Sequence, residues 1–336
     1  MLISCRSVKS LSDRTTVSGA TDGSLPSQMD QFLRTFYSHH CLEFAVASLS
    51  SYSKHMRSMA RSVIADYREL AEQWKPPRTV KSADGQTGLS LRLFPERSKI
   101  VFILDTLRNS LSTGGGATLA GAGRKKNMFS SKADTGGRLT RVHANFFVLA
   151  LQLIGKPENL MYRSLWNCLL SKPAIDLNQV PDFLRSFFST DTHFRAERHW
   201  ISRLCASSLV DGADYLVLER SRVFKHMLTA FSSPSSDATF QCVCSGLFML
   251  TVCVCTFQLT VLQLIRSATN QPRLMHALIR FHALPLWLWR YALKPCPHTQ
   301  IELFRDIIAN LLTALSTKET DSPLLGLLQL LKIEFE

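Results

Sequence analysis

Glycine and proline are scarce in this 336-residue chain, 15 and 13 in all, and they cluster instead of recurring at regular intervals. Long stretches therefore run uninterrupted, which favours helices over many short strands separated by turns. Acids are also few: 26 Asp and Glu stand against 39 Lys and Arg, a formal charge of +13. That balance argues against basic partners and favours acidic ones, nucleic acid first and an anionic membrane surface second. A solvated basic surface with no specific ligand would have the same composition. The nine cysteines are scattered or sit in apolar context, as Cys168 and Cys205 do. Residues 1 to 13 hold no apolar run of signal-peptide length. A secreted disulfide framework is not expected, and reduced thiols in an intracellular compartment are.

What is present is a large apolar fraction, 46% of residues, led by leucine. The expected organisation starts with a disordered tail over 1–29, rich in Ser, Thr, Gly and Asp. Its few basic and hydroxyl residues resemble a mitochondrial transit peptide, but no amphipathic face develops. N-terminal helices of a helical domain follow over 30–75. The clearest spans Lys54 to Trp74, where Met56, Met59, Ala60, Val63, Ile64, Tyr67, Leu70, Ala71 and Trp74 recur at three-four spacing. Ser53 is its expected N-cap, and Pro76-Pro77 stops it. A linker is expected over 76–95 and a helix over 96–113, with Ile100, Ile103, Leu104, Leu107 and Leu111 on one face. Residues 114–137 form a glycine-rich stretch without core residues in phase, expected to be a disordered loop.

A C-terminal helical domain is expected over 138–336. Its predicted helices run over 139–153, 160–170, 181–188, 191–209, 214–231 with a break near Ser221, 299–316 with Thr299 as N-cap, and 324–331. No strict repeat is visible. Helices of similar length joined by short breaks predict an all-α fold, either an armadillo/HEAT-like α-solenoid or an irregular helical bundle.

Residues 238–265 carry no charge, which exceeds the ~20 residues that a membrane helix needs. Flanking charges are weak and aromatic belts are missing, so spanning is not the favoured reading. Thr-Phe-Gln occurs at 239–241 and again at 256–258. Deleting 242–258 joins the first copy to LTVLQLIRSA, a clean amphipathic helix. The block therefore reads as an insertion, of the kind imperfect splicing leaves. The Cys-x-Cys pairs at 242–244 and 253–255 lack the Cys-x2-Cys spacing of zinc ligands.

Catalytic patterns fail on inspection. Ser51-Tyr52-Ser53-Lys54 matches S-x-x-K without its partner motifs. Gly116 and Gly121 are spaced like a phosphate loop, but Ala122 and Gly123 stand where Lys and Ser or Thr are needed. His39-His40-Cys41 has no second ligand cluster and reads as a helix surface or core. No enzymatic activity, cofactor or metal is expected.

One long stretch carries a family resemblance. The matching features are KPAIDLNQVPDFLRSFF at 172–188, AERHWISRL at 196–204, the DGADY turn at 211–215 before LERSRVF, and LIRSA at 264–268. They resemble the C-terminal region of the nucleolar pre-ribosomal-associated protein 1 family, also called the unhealthy ribosome biogenesis family. Residues 32–74, 97–110 and 138–162 are similar to it too. The glycine-rich loop and the uncharged block look like additions to the family pattern. Family members are very large, so the chain would correspond to their C-terminal part. The resemblance implies a non-catalytic nucleolar scaffold of early pre-60S particles that supports maturation of 5.8S and large-subunit ribosomal RNA. It implies other ribosome assembly factors and pre-ribosomal RNA as partners. Candidate phosphate contacts are Arg124, Lys125 and Lys126 in the glycine-rich loop, and Arg195, Arg198 and Arg203 on one helix. A membrane-associated protein spanning 238–265 and a helical adaptor with protein partners alone are the competing readings.

Overall fold

The apolar spacing that predicts helices produces them. The computed structural model describes residues 25–74, 94–114, 137–181, 194–231, 248–292, 298–316 and 323–335. Among these residues the chain folds as helices and contains no strand, so the all-α class holds. Residues 1–24 of the tail expected over 1–29, 76–93 of the linker expected over 76–95, 115–136 of the loop expected over 114–137, 182–188 of the short helix and 238–247 of the uncharged stretch lie outside the described residues, while residues 25–29 of the expected tail are helical. The chain divides into two compact units, Met1–Leu177 and Asn178–Glu336.

In the first unit six helices are described: α1 (Leu25–Ser38), α2 (Cys41–Ser48), α3 (Lys54–Gln73), α4 (Arg97–Gly114), α5 (Arg141–Leu153) and α6 (Leu160–Ser171). The predicted stripe of α3 is its buried face: Ala60, Ile64, Tyr67, Leu70 and Ala71 all leave solvent. Helix α3 packs against α1, α2 and α4, whose Leu33, Phe36, Leu42, Val46, Ile100, Ile103, Leu104 and Leu107 are likewise buried. Burial on this scale contributes about 1.5–3 kcal/mol per large side chain. Two tyrosine hydroxyls of this unit bond across it: Tyr67 donates to the Leu33 carbonyl at 3.3 Å, and Tyr37 to that of Leu151 at 2.9 Å.

The serine-lysine and histidine patterns resolve into helix starts. Ser53 Oγ accepts from the Met56 amide at 3.4 Å, as expected of the N-cap. Arg57 ties down the same turn through the Ser51 and Tyr52 carbonyls, both at 2.9 Å. His40 opens α2 with a left-handed backbone, φ 57°, and its Nδ1 meets the buried Glu43 carboxylate at 2.7 Å. Gln152 donates to that carboxylate at 3.2 Å.

The second unit holds α7 (Phe194–Ser208), α8 (Gly212–Arg220), α9 (Val223–Phe231), α10 (Phe248–Thr269), α11 (Pro272–His282), α12 (Leu284–Ala292), α13 (His298–Ser316) and α14 (Pro323–Phe335). Here α10 packs against α7 and α13, and α14 against α12 and α13. The DGADY turn is the cap of α8. Asp211 Oδ1 accepts from the amides of Ala213 and Asp214 at 2.9 and 3.0 Å, and the buried Asp214 accepts from Val210 at 3.3 Å. The expected break near Ser221 is real. Arg222 stands at φ 52° between α8 and α9, and the Ser221 hydroxyl caps the Val180 amide at 2.7 Å. One cap differs from expectation. Helix α13 already includes His298, so Thr299 lies inside its first turn and not at the N-cap. Helix α10 runs without a break through residue 258, the end of the block read as an insertion. Among the described residues no helix is long and apolar enough to cross a membrane.

Candidate functional site

Two sharp corners without loops frame a cleft of the second unit. Arg222 and Ala283 both adopt left-handed backbone angles, φ 52° and 47°. Such angles cost an L-residue with a side chain about 1–2 kcal/mol. In each case the same residue's carbonyl accepts the first bond of the following helix: Arg222 from the His226 amide, and Ala283 from that of Trp287, both at 3.1 Å. One helix therefore passes directly into the next, α8 into α9 and α11 into α12.

The cleft, of about 840 Å³, is lined by Glu219, Arg222, Lys225, Leu228, Thr229, Phe281, His282, Ala283, Trp287 and Arg290. Its walls follow helical periodicity. Arg222, Lys225 and Thr229 are spaced i, i+3, i+7 along α9, and Ala283, Trp287 and Arg290 are spaced i, i+4, i+7 along α12. Both helices begin at the cleft, so the positive ends of their dipoles add to the field there.

Aromatic packing holds the two walls. Phe231 of α9 lies 4.2 Å from Tyr291 and 4.9 Å from Trp287, ring centre to ring centre. Phe304 of α13 stacks on Tyr291 at 5.6 Å. The Trp287 indole donates to the Leu228 carbonyl and the Tyr291 hydroxyl to that of Phe231, both at 3.3 Å. The walls are thus crosslinked by two hydrogen bonds under a ring cluster. At the corner, His282 sits 5.7 Å from the Phe224 ring, and its Nε2 lies 3.0 Å from Glu219. Its side chain is 8% exposed, which fixes the imidazole between its ring and carboxylate neighbours.

The lining charge is one-sided. Among the described residues Glu219 is the one acid on the walls, and His282 engages it. Arg222, Lys225 and Arg290 are exposed, and none has a carboxylate partner among the described residues. The field they create is felt by His226. Its proton affinity is lowered by desolvation first, then by Lys225 and Arg222. The sequence explains the imbalance. Between Glu219 and Glu302 there are eight basic residues (Arg220, Arg222, Lys225, Arg266, Arg273, Arg280, Arg290 and Lys294) and one acid, Asp237. Phe281, 67% exposed, stands at the rim with the Arg280 guanidinium 5.8 Å from its ring centre. An arrangement of this kind suits anions, and it offers aromatic surface beside them.

Of the residues expected to contact phosphate, Arg124, Lys125 and Lys126 lie outside the described residues. Arg195, Arg198 and Arg203 all fall on α7, with Arg198 half-buried and Arg203 exposed. Arg203 lies close enough to His199 to lower its proton affinity, behind the larger effect of desolvation. Neither Arg198 nor Arg203 lines the cleft. The cleft cations were missed because they come from segments about sixty residues apart, and only the fold joins them. The available signal was the run of basic residues between Glu219 and Glu302.

Among the described residues no group of three or more His, Cys, Asp or Glu is placed to hold a metal ion. Cys205 is buried, and burial pushes its thiol well above the ordinary range.

Comparison with known proteins fits this picture of a basic helical chain. Residues 42–287 match the sequence model of a family described as nucleolar pre-ribosomal-associated protein 1. Human nucleolar pre-ribosomal-associated protein 1 is 26% identical over 255 residues, which are 76% of this chain and 9% of the human protein. The mouse protein of the same name is 27% identical over 208 residues, 62% of this chain and 7% of the mouse protein. The matched region therefore spans less than a tenth of either relative. No solved structure matches. The family match takes in most of the chain and the cleft walls from Glu219 to Trp287, and the chain belongs to the nucleolar pre-ribosomal-associated protein 1 family.

Proposed function

We propose that this chain is a non-catalytic nucleolar scaffold segment in the biogenesis of the large ribosomal subunit. It acts within early pre-60S particles and supports maturation of 5.8S and large-subunit ribosomal RNA. The observation that carries this reading is the family match over residues 42–287, whose description places its members with pre-ribosomes and names no reaction. The physical features agree with it. A +13 chain suits an RNA-rich assembly, because phosphate neutralisation releases counterions whatever the base sequence. Helices joined at sharp corners present surface without needing a reactive centre. In this reading they belong to a longer armadillo- or HEAT-type stack, whose apolar grooves take other assembly factors. Arg124, Lys125 and Lys126, with Arg195, Arg198 and Arg203, hold backbone phosphates and read no bases.

Crosslinking the tagged protein to RNA in cells, followed by sequencing of the bound RNA, tests the reading. Enrichment of pre-ribosomal RNA from the large-subunit region is expected. A profile equal to that of an untagged control overturns the RNA contact and leaves an adaptor between proteins. Loss of the protein should also slow the appearance of mature 5.8S RNA, seen in pulse-labelled RNA. Unchanged processing kinetics would sink the maturation role.

A further inference from the structure

We propose that the cleft between α9 and α12 docks a short stretch of single-stranded RNA. Arg222, Lys225 and Arg290 hold consecutive backbone phosphates, and Phe281 and Trp287 offer ring surface on which bases stack. Three features of the cleft converge on that ligand. Among the described residues its exposed cations have no carboxylate partner, and the one acid that lines it, Glu219, is engaged by His282. Aromatic surface stands beside those cations, with Phe281 at the rim and a half-buried Trp287 on the wall. The walls themselves are fixed, by ring packing and by the bonds from Trp287 and Tyr291 to the α9 carbonyls.

A nucleotide brings one phosphate and one flat ring face, and single-strand sites elsewhere pair cationic grooves with aromatic platforms in this way. An acidic peptide would meet the cations equally well but would leave Phe281 and Trp287 without a matching ligand surface. A volume of about 840 Å³ is the size of a small-ligand pocket and does not admit a duplex. The inference rests on the pre-ribosomal reading only for which RNA the cleft meets in the cell.

The test is fluorescence anisotropy of a labelled short oligoadenylate with the full chain, across salt from about 50 to 200 mM. The triple variant Arg222→Gln, Lys225→Gln, Arg290→Gln is compared with a control of equal net charge, Arg273→Gln, Arg305→Gln, Lys332→Gln. The cleft triple is expected to weaken binding roughly tenfold or more, and to reduce the salt slope by about two, since single strands lose about 0.7 per phosphate contact. The control should stay within about twofold. Phe281→Ser, at an exposed position, should weaken binding by about fivefold without changing the slope, and it serves as the second variant should the triple unfold.

Equal losses in both triples would reduce the effect to net charge and overturn the site. So would failure of the wild-type chain to bind, or displacement of the RNA by an oligoglutamate at equal charge, which would assign the cleft to an acidic protein segment. Crosslinking in cells separates this inference from the reading beneath it. Pre-ribosomal RNA retained undiminished by the cleft triple would overturn the cleft and leave the scaffold reading standing. Oligoadenylate binding without enrichment of pre-ribosomal RNA would do the reverse.

Discussion

The first unit and the cleft of the second use positive charge in opposite ways. In Met1–Leu177 several arginines are tied into the fold. Arg68 bonds Asp105 at 2.6 Å and Glu72 at 2.9 Å, and Arg34 meets Asp30 at 2.8 Å. Arg57 caps two carbonyls, and Arg97 reaches the carbonyls of Ala71 and Glu72 while lying over the Trp74 ring. Lys99 donates to the Tyr162 hydroxyl at 2.7 Å. In Asn178–Glu336 the cleft cations have no such carboxylate partners among the described residues, and Arg222 even occupies a left-handed backbone position. A formal charge of +13 therefore says little about binding until each cation is traced to its partner. Substitution in the first unit should cost stability, and in the cleft it should cost ligand.

The largest expected effect anchors the scale. Phe231 is fully buried and forms the hinge of the ring cluster that joins α9 to α12. Phe231→Ala should destabilise the fold by about 3–5 kcal/mol, measured by urea unfolding. A loss below ~1 kcal/mol would mean that the cleft walls are held by something other than these rings. Next comes the α8 cap. Asp211→Ala removes the acceptor of two amides and should cost about 1 kcal/mol, with Asp211→Asn recovering most of it. The two units are then compared directly. Arg68→Ala should cost about 1 kcal/mol, because it strands two carboxylates that are partly exposed. Lys225→Gln, chosen as a cleft counterpart, should stay within about 0.5 kcal/mol. Equal costs at the two positions would break the contrast between the units.

The sequence carried the helices further than it carried the cleft. The stripe on α3 and the Ser53 cap follow from spacing and hydroxyl chemistry within one turn, so they could be read without a fold. The break at Ser221 was legible as well, because the apolar phase slips there. The corner at Ala283 was not, since its left-handed residue is neither glycine nor asparagine and carries no compositional signal. Thr299 misled because a hydroxyl residue near a helix start does not by itself tell the cap from the first turn, and the helix already begins at His298. Arg222 and Lys225 share a face on local spacing alone. Their meeting with Arg290 depends on Phe231, Trp287 and Tyr291 packing across the fold, and periodicity does not report that.

The smallest expected effect is a pH dependence that sharpens the contrast within the second unit. His199 and His226 both hold a proton less tightly than a free histidine. Desolvation is the larger cause in each, followed by Arg203 for the first, and by Lys225 and then Arg222 for the second. For a histidine whose affinity is lowered by folding, the unfolded chain binds the proton first. Stability is then complete above the ordinary value of about 6.5 and is lost as the pH falls through it. The melting temperature should therefore drop between about pH 7.5 and 5.5, and His199→Gln should shrink that drop. The cleft adds a discriminating arm. Replacing Arg222 and Lys225 by glutamine relieves the repulsion on His226, so the midpoint of its imidazole resonance in an NMR titration should rise. A midpoint that stays put would mean that desolvation alone sets the His226 affinity, and that the cleft cations project a weaker field than their shared face on α9 implies.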